Sequence, residues 1–198
     1  MKSSQQAKRK AEKKKQNQQK VFIYSAVALV VIISVVIIIL FAAKSPNSSG
    51  LMGDEVMILS RAHVPSDTDP GPYNSNPPTG GAHFDTDFSE KFYQESDLVT
   101  LPKYPEGYLV HSLEHGYVIF WYNCQAPNTD CSALKQTIQK VMDETGTTKL
   151  IAFPWSSMDV PLAMTSWGRI LKFTNPDPVV MKQFVEKNRY QAPEPNAP

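Results

Sequence analysis

Only two cysteines occur in the 198 residues, Cys124 and Cys131, with six residues between them. The Cys-x2-Cys spacing of a thioredoxin-like redox site is therefore missing. No phosphate loop, dinucleotide fingerprint, Ser-His-Asp arrangement or internal repeat is readable. Histidine is absent before residue 63 and after residue 115. Charge is absent from residues 21–43, and this last gap organises the N-terminal part of the chain.

The charge-free run spans twenty-three residues, about 34 Å as a helix and enough for a hydrocarbon core of roughly 30 Å. Its β-branched richness favours strand in water, but in lipid the backbone must satisfy itself, so a transmembrane helix is expected. A cleaved signal peptide would have a shorter apolar core and a shorter leader. Residues 1–20 carry eight Lys/Arg against Glu12 alone, which places that end in the cytoplasm and the C-terminal domain outside. The rest of the chain holds twelve bases against eighteen acids. Such a mildly acidic domain opposes nucleic-acid binding, which depends on phosphate neutralisation. An outward-facing domain also permits a Cys124–Cys131 disulfide. Closing so short a loop is worth about 2–3 kcal/mol at most.

The expected organisation is a basic cytoplasmic segment 1–20, a transmembrane helix 21–43, a flexible linker 44–53, an extracytoplasmic α+β domain 54–190 and a disordered tail 191–198. Residues 61–83 hold Pro65, Pro70, Pro72, Pro77, Pro78, Gly71, Gly80 and Gly81. That density excludes a helix or long strand and makes a stiff, irregular loop, of a kind that often carries function. A short helix is expected near 89–94 and a short strand over 108–110. The run 117–122 reads as a buried strand. Leu134, Ile138, Val141 and Met142 form the stripe of an amphipathic helix over 132–145. Asp130 or Ser132 would cap its start and Gly146 its end. Strands follow over 149–153 and 164–173, as an antiparallel pair. A last helix over 175–188 would be capped by Asn175 with Pro176 in its first turn. The fold class is α+β, a mixed or antiparallel sheet with helices on one face.

His63, His83, His111 and His115 are the candidate metal ligands. His111 and His115 are four apart and share a face in a helical turn, and His83 or His63 would complete a set of nitrogens. Neutral imidazole suits copper and zinc. His111-Ser-Leu-Glu-His115 also matches the His-x-x-Glu-His of inverted zinc proteases, in which a metal acidifies bound water and Glu114 would serve as base. That motif needs a helix, whereas Pro105, Gly107 and Gly116 around it suggest a turn feeding the strand. Glu114 would then orient a histidine or pair with Arg169 or Arg61. Tyr73 and Asn74 on the stiff loop, and Trp167 with Arg169, could line a ligand site or serve packing.

The stretches Tyr73-Asn-Ser-Asn-Pro-Pro-Thr-Gly-Gly-Ala-His83, His111-Ser-Leu-Glu-His-Gly116 and Thr165-Ser-Trp-Gly-Arg169 resemble the three signatures of domain of unknown function 3105, a mostly bacterial, membrane-anchored family. The resemblance covers residues 53–190. It implies the domain extent and the anchored, outward-facing arrangement, and it supplies no reaction. The expected function is binding of copper or zinc by the clustered histidines of a single-pass protein of the cell membrane, whose partners are the lipid bilayer and the metal ion. The alternatives are a non-catalytic envelope or interaction domain with a structural His-Glu network, and a metal-dependent hydrolase or oxidoreductase.

Overall fold

The computed structural model describes residues 50–197. The basic segment 1–20, the apolar span 21–43 and linker residues 44–49 lie outside the described residues. Among the described residues, no helix is long and apolar enough to cross a membrane.

The strands are β1 (Asp54–Glu55), β2 (Val118–Tyr122), β3 (Leu150–Pro154), β4 (Leu162–Ser166) and β5 (Arg169–Phe173). The α-helices are α1 (Pro105–Glu114), α2 (Cys131–Thr145) and α3 (Pro178–Asn188). The strands form one mixed sheet in the order β1-β5-β4-β2-β3. β2 and β3 run parallel, with α2 as the crossover that a parallel pair requires. β4 runs antiparallel to β2 on its other side, followed by β5 and the short β1. The expected single strand over 164–173 is therefore two, turned at Trp167-Gly168, where Gly168 has φ +67°. The expected antiparallel pair of 149–153 with its successor does not form, because β4 joins the far edge of β2 instead.

β2 is buried at every position, and that decides where the helices go. Val118, Phe120 and Tyr122 face Leu134, Ile138 and Val141 of α2 and Met181, Phe184 and Val185 of α3. Ile119 and Trp121 face the other way, towards Leu109 and Leu113 of α1 with Phe88, Tyr93 and Phe153. Helices thus cover both faces, not one as expected. A strand that is apolar at consecutive positions needs cover on each side.

Local chemistry explains most of the ends. Asp130 caps α2 by accepting from the Ala133 N–H at 3.0 Å, as expected. α3 begins later than expected: Asp177, not Asn175, is the cap, accepting from the Val179 N–H at 2.8 Å, and Pro178, not Pro176, stands at the first turn. Residues 89–94 are not helical. A 3-10 turn follows them at Glu95–Thr100, started by a reciprocal Gln94–Asp97 cap. Asn188 is wholly buried. It accepts from the Met52 N–H and donates to the Met52 carbonyl, both at 2.9 Å, which fixes where the chain enters the domain.

The main correction concerns α1. The expected strand over 108–110 and the expected turn at 111–115 are one helix. Pro105 sits at its first turn, where its missing N–H costs nothing. His115 caps its end and Gly116 follows with φ +86°. The Gly116 N–H bonds the Leu113 carbonyl at 3.0 Å and the Tyr117 N–H bonds the Ser112 carbonyl at 3.1 Å, the two bonds of a Schellman ending. Of the three residues that suggest a turn, Pro105 and Gly116 are the helix's start and stop signals and Gly107 lies within it. Tyr190 N–H bonds the Gly116 carbonyl at 2.8 Å, and within the tail 191–198, expected to be disordered, Glu194 N–H bonds the Glu114 carbonyl at 3.0 Å.

Gly107, inside α1, packs against the fully buried Phe84: a Cβ there would meet the ring at 2.5 Å. In an open helix Gly→Ala stabilises by about 1 kcal/mol. Here Gly107→Ala is expected to destabilise by about 1–3 kcal/mol through overpacking, read as a lower urea midpoint. A raised midpoint would refute the close packing of α1 on the segment after His83.

Candidate metal centre

The proline-rich loop brings its two ends together. His63 and His83 pair in an isolated parallel bridge, with Val64 N–H on the His83 carbonyl at 2.8 Å and His83 N–H on the Ala62 carbonyl at 3.1 Å. The rings stand 4.7 Å apart, centroid to centroid. The last turn of α1 faces them. It brings the His111 ring to 5.3 Å from that of His63 and 5.4 Å from that of His83.

The donor atoms of His63, His83, His111 and Glu114 all lie within 4.8 Å of one another. His83, His111 and Glu114 are buried, whereas the His63 side chain is 44% exposed, which leaves one side open. His83 Nδ1 is 2.8 Å from the Gly81 carbonyl, so that nitrogen carries a proton and donates it. Nε2 then points at Glu114 Oε2, 2.8 Å away. In the neutral ring Nε2 is an acceptor, as is the carboxylate oxygen, so the contact calls for a cation between them, a proton or a metal. An imidazole whose far nitrogen donates to a backbone carbonyl is the usual posture of a metal-bound histidine. Glu114 Oε2 is also 3.6 Å from His63 Nε2.

His115 belongs to a different group. Consecutive residues leave a helix about 100° apart, so Glu114 turns to the proline loop while His115 turns to Asp87. His115 Nδ1 lies 2.9 Å from Asp87 Oδ2, and its Nε2 lies 3.7 Å from Glu194 Oε2. Asp87, His111 and His115 again bring their donors within 4.8 Å, and the His111 and His115 rings are 4.2 Å apart. His111 Nδ1 and Asp87 Oδ1 are buried without a hydrogen-bond partner. Burial lowers the His111 pKa below its usual value, helped by the neighbouring His115, His83 and His63 and opposed by Asp87. The ring is therefore held neutral, with a lone pair free to ligate.

The other candidates fall outside these donor sets. Tyr73 donates to the Ala82 carbonyl at 3.1 Å, and its ring fills the place a side chain at residue 81 would take. Burial foremost, then Glu106 and Asp69, push its phenol up. Asn74 donates to the Met57 carbonyl at 2.7 Å. Trp167 stands edge-on to His83 at 6.1 Å, with the Arg61 guanidinium 5.9 Å from its ring centre. Arg169 pairs with Glu55 at 3.1 Å. Of the two roles expected for Glu114, orienting a histidine or pairing with an arginine, its contacts with His83 and His63 match the first. Cys124 and Cys131 form a disulfide at the far end of β2, which removes both sulfurs as ligands. Asp87 and Glu194 were missed. Asp87 had a signal, an Asp-Thr-Asp run two residues after His83; Glu194, in a proline-rich tail, had none.

Residues 63–198 match the family described as Protein of unknown function (DUF3105), and the chain belongs to it. No curated protein and no solved structure matches the chain.

Glu114→Ala in protein stripped with a chelator leaves the buried His83 Nε2 without its partner. The expected cost is about 1.5–3 kcal/mol, measured by urea unfolding with chelator present. A loss below about 0.5 kcal/mol would show that the contact does not hold loop to helix.

Proposed function

We propose that the domain is a binding module for one transition-metal ion, zinc or copper, ligated by His63, His83, His111 and Glu114, in a single-pass protein whose C-terminal domain lies outside the cell membrane. The observation that carries the binding reading is the convergence of four donors, three of them buried, around the His83–Glu114 contact. Three imidazoles and one carboxylate form a borderline donor set suited to zinc or copper. The charge-free span 21–43 and the lysines before it support the anchor and its orientation.

Each residue has a separate task. The Gly81 carbonyl orients His83, α1 sets His111 and Glu114 one turn apart, and the half-exposed His63 borders the way in. Hydrolysis with Glu114 as base is not favoured, because its Oε2 is already engaged by His83 and His63. A purely structural His-Glu network draws on the same 2.8 Å contact, with a proton in place of the metal.

Metal content separates the two readings. The full chain, purified in detergent without a histidine tag, is expected to bind zinc or copper(II) with micromolar affinity or better. Saturation at a hundredfold excess over Kd should stabilise the domain by about 2.7 kcal/mol. His83→Ala should lose most of that affinity and all of that stabilisation. Wild-type chain that binds neither ion in elemental analysis would leave only the structural network.

A further inference from the structure

We infer that the domain holds a second transition-metal ion beside the first, on Asp87, His111 and His115. The inference rests on the first-site reading above and extends it to a two-ion centre.

The donors of Asp87, His111 and His115 lie within 4.8 Å of one another, as a second group that shares only His111 with the first four. The helix enforces that separation, since Glu114 and His115 project in different directions. A single ion is not placed to use both groups, and His111 is the ring they have in common.

The unpaired atoms point the same way. His111 is 5% exposed, and its Nδ1 has no hydrogen-bond partner. Asp87 Oδ1, in the same three-residue group, is also buried and unpartnered. Native proteins rarely leave such atoms unsatisfied, because each costs about 1–3 kcal/mol. Had one hydrogen bond joined the two atoms, neither would be an orphan. A cation answers both, since each offers a lone pair.

The charge suits a divalent ion. His115 has Asp87 on one nitrogen and Glu194 near the other, so two carboxylates stand around two imidazoles. The nitrogen content favours zinc or copper over calcium or magnesium, which take oxygen ligands. The Asp87 side chain is 26% exposed, which gives the second ion its own approach. When both ions are bound, sharing the His111 ring takes its remaining N–H proton, which leaves to solvent.

Stoichiometry decides the matter. The full chain, without a histidine tag, is loaded with excess zinc, desalted and assayed for zinc per chain. Two ions are expected in the wild type and one each in Asp87→Asn and His115→Gln. One ion in the wild type overturns the second site and leaves the first standing. Two ions retained in both variants also overturn it. No bound zinc or copper removes the first-site reading, and the second site with it. A readout on the unaltered chain adds an independent check: with two equivalents of copper(II), the neighbouring ions should couple and lose much of their electron paramagnetic resonance intensity. Two full-strength, independent copper signals would contradict the shared centre.

Discussion

The buried contact between His83 and Glu114 joins segments thirty-one positions apart, and the loop around the site depends on it. The proline-rich stretch has no regular structure beyond the His63–His83 bridge. Side chains hold the rest. Tyr73 donates to the Ala82 carbonyl, Asn74 to the Met57 carbonyl and Asn76 to the Ser157 carbonyl, while the Trp155 indole donates to Asn76 at 2.7 Å. Its prolines reduce what the unfolded chain gains in entropy. A loop stiffened in this way presents His83 in one orientation, with Nδ1 committed to the Gly81 carbonyl and Nε2 committed to the helix.

The length of α1 is the second constraint, because its last turn must end where the site needs it. Gly116 allows the Schellman ending, and no other side chain fits there: a Cβ would lie 2.8 Å from the Tyr190 backbone. The tail therefore packs where the helix stops. Lys149, itself buried, lies beneath it and donates to the carbonyls of His115 at 2.7 Å and Ala197 at 2.8 Å. Its ammonium meets the carbonyl end of the helix, where a cation is favoured. Through these bonds Glu194 comes within reach of His115 without belonging to any strand or helix.

How much of this is legible in the sequence depends on the range of the forces involved. The α2 stripe, the Asp130 cap and the buried strand β2 are local patterns, and the structure matches them. The turn at Trp167-Gly168 is local too, but it was hidden inside a continuous β-rich run. α1 differs from its expected turn because Pro105 and Gly116 resemble breakers as much as boundaries, although the order proline first and glycine last is the helical one. The two-sided cover of the sheet follows from Ile119 and Trp121 being as apolar as Phe120, a pattern that argues against one open face. The division of the histidines into two groups is not legible, since it depends on the direction in which Glu114 and His115 leave a helix whose sequence suggests a turn. Asp87 and Glu194 enter only through tertiary placement.

The donor chemistry also bears on what such a centre selects. Hard cations such as calcium need six to eight oxygen ligands, and the described cluster offers mainly imidazole nitrogen. Soft copper(I) favours sulfur, and both cysteines of the chain are tied in a disulfide away from the histidines. That narrows the proposed occupant to borderline divalent ions, zinc and copper(II). Between those two, geometry rather than affinity decides, because copper(II) outbinds zinc at most nitrogen sites. A rigid cage fixed by the Gly81–His83 bond and the α1 turn resists the tetragonal rearrangement copper(II) prefers. A cage with one half-exposed ligand, His63, can yield to it. The exposure of His63 beside its buried neighbours is therefore the feature on which the identity of the proposed metal would turn.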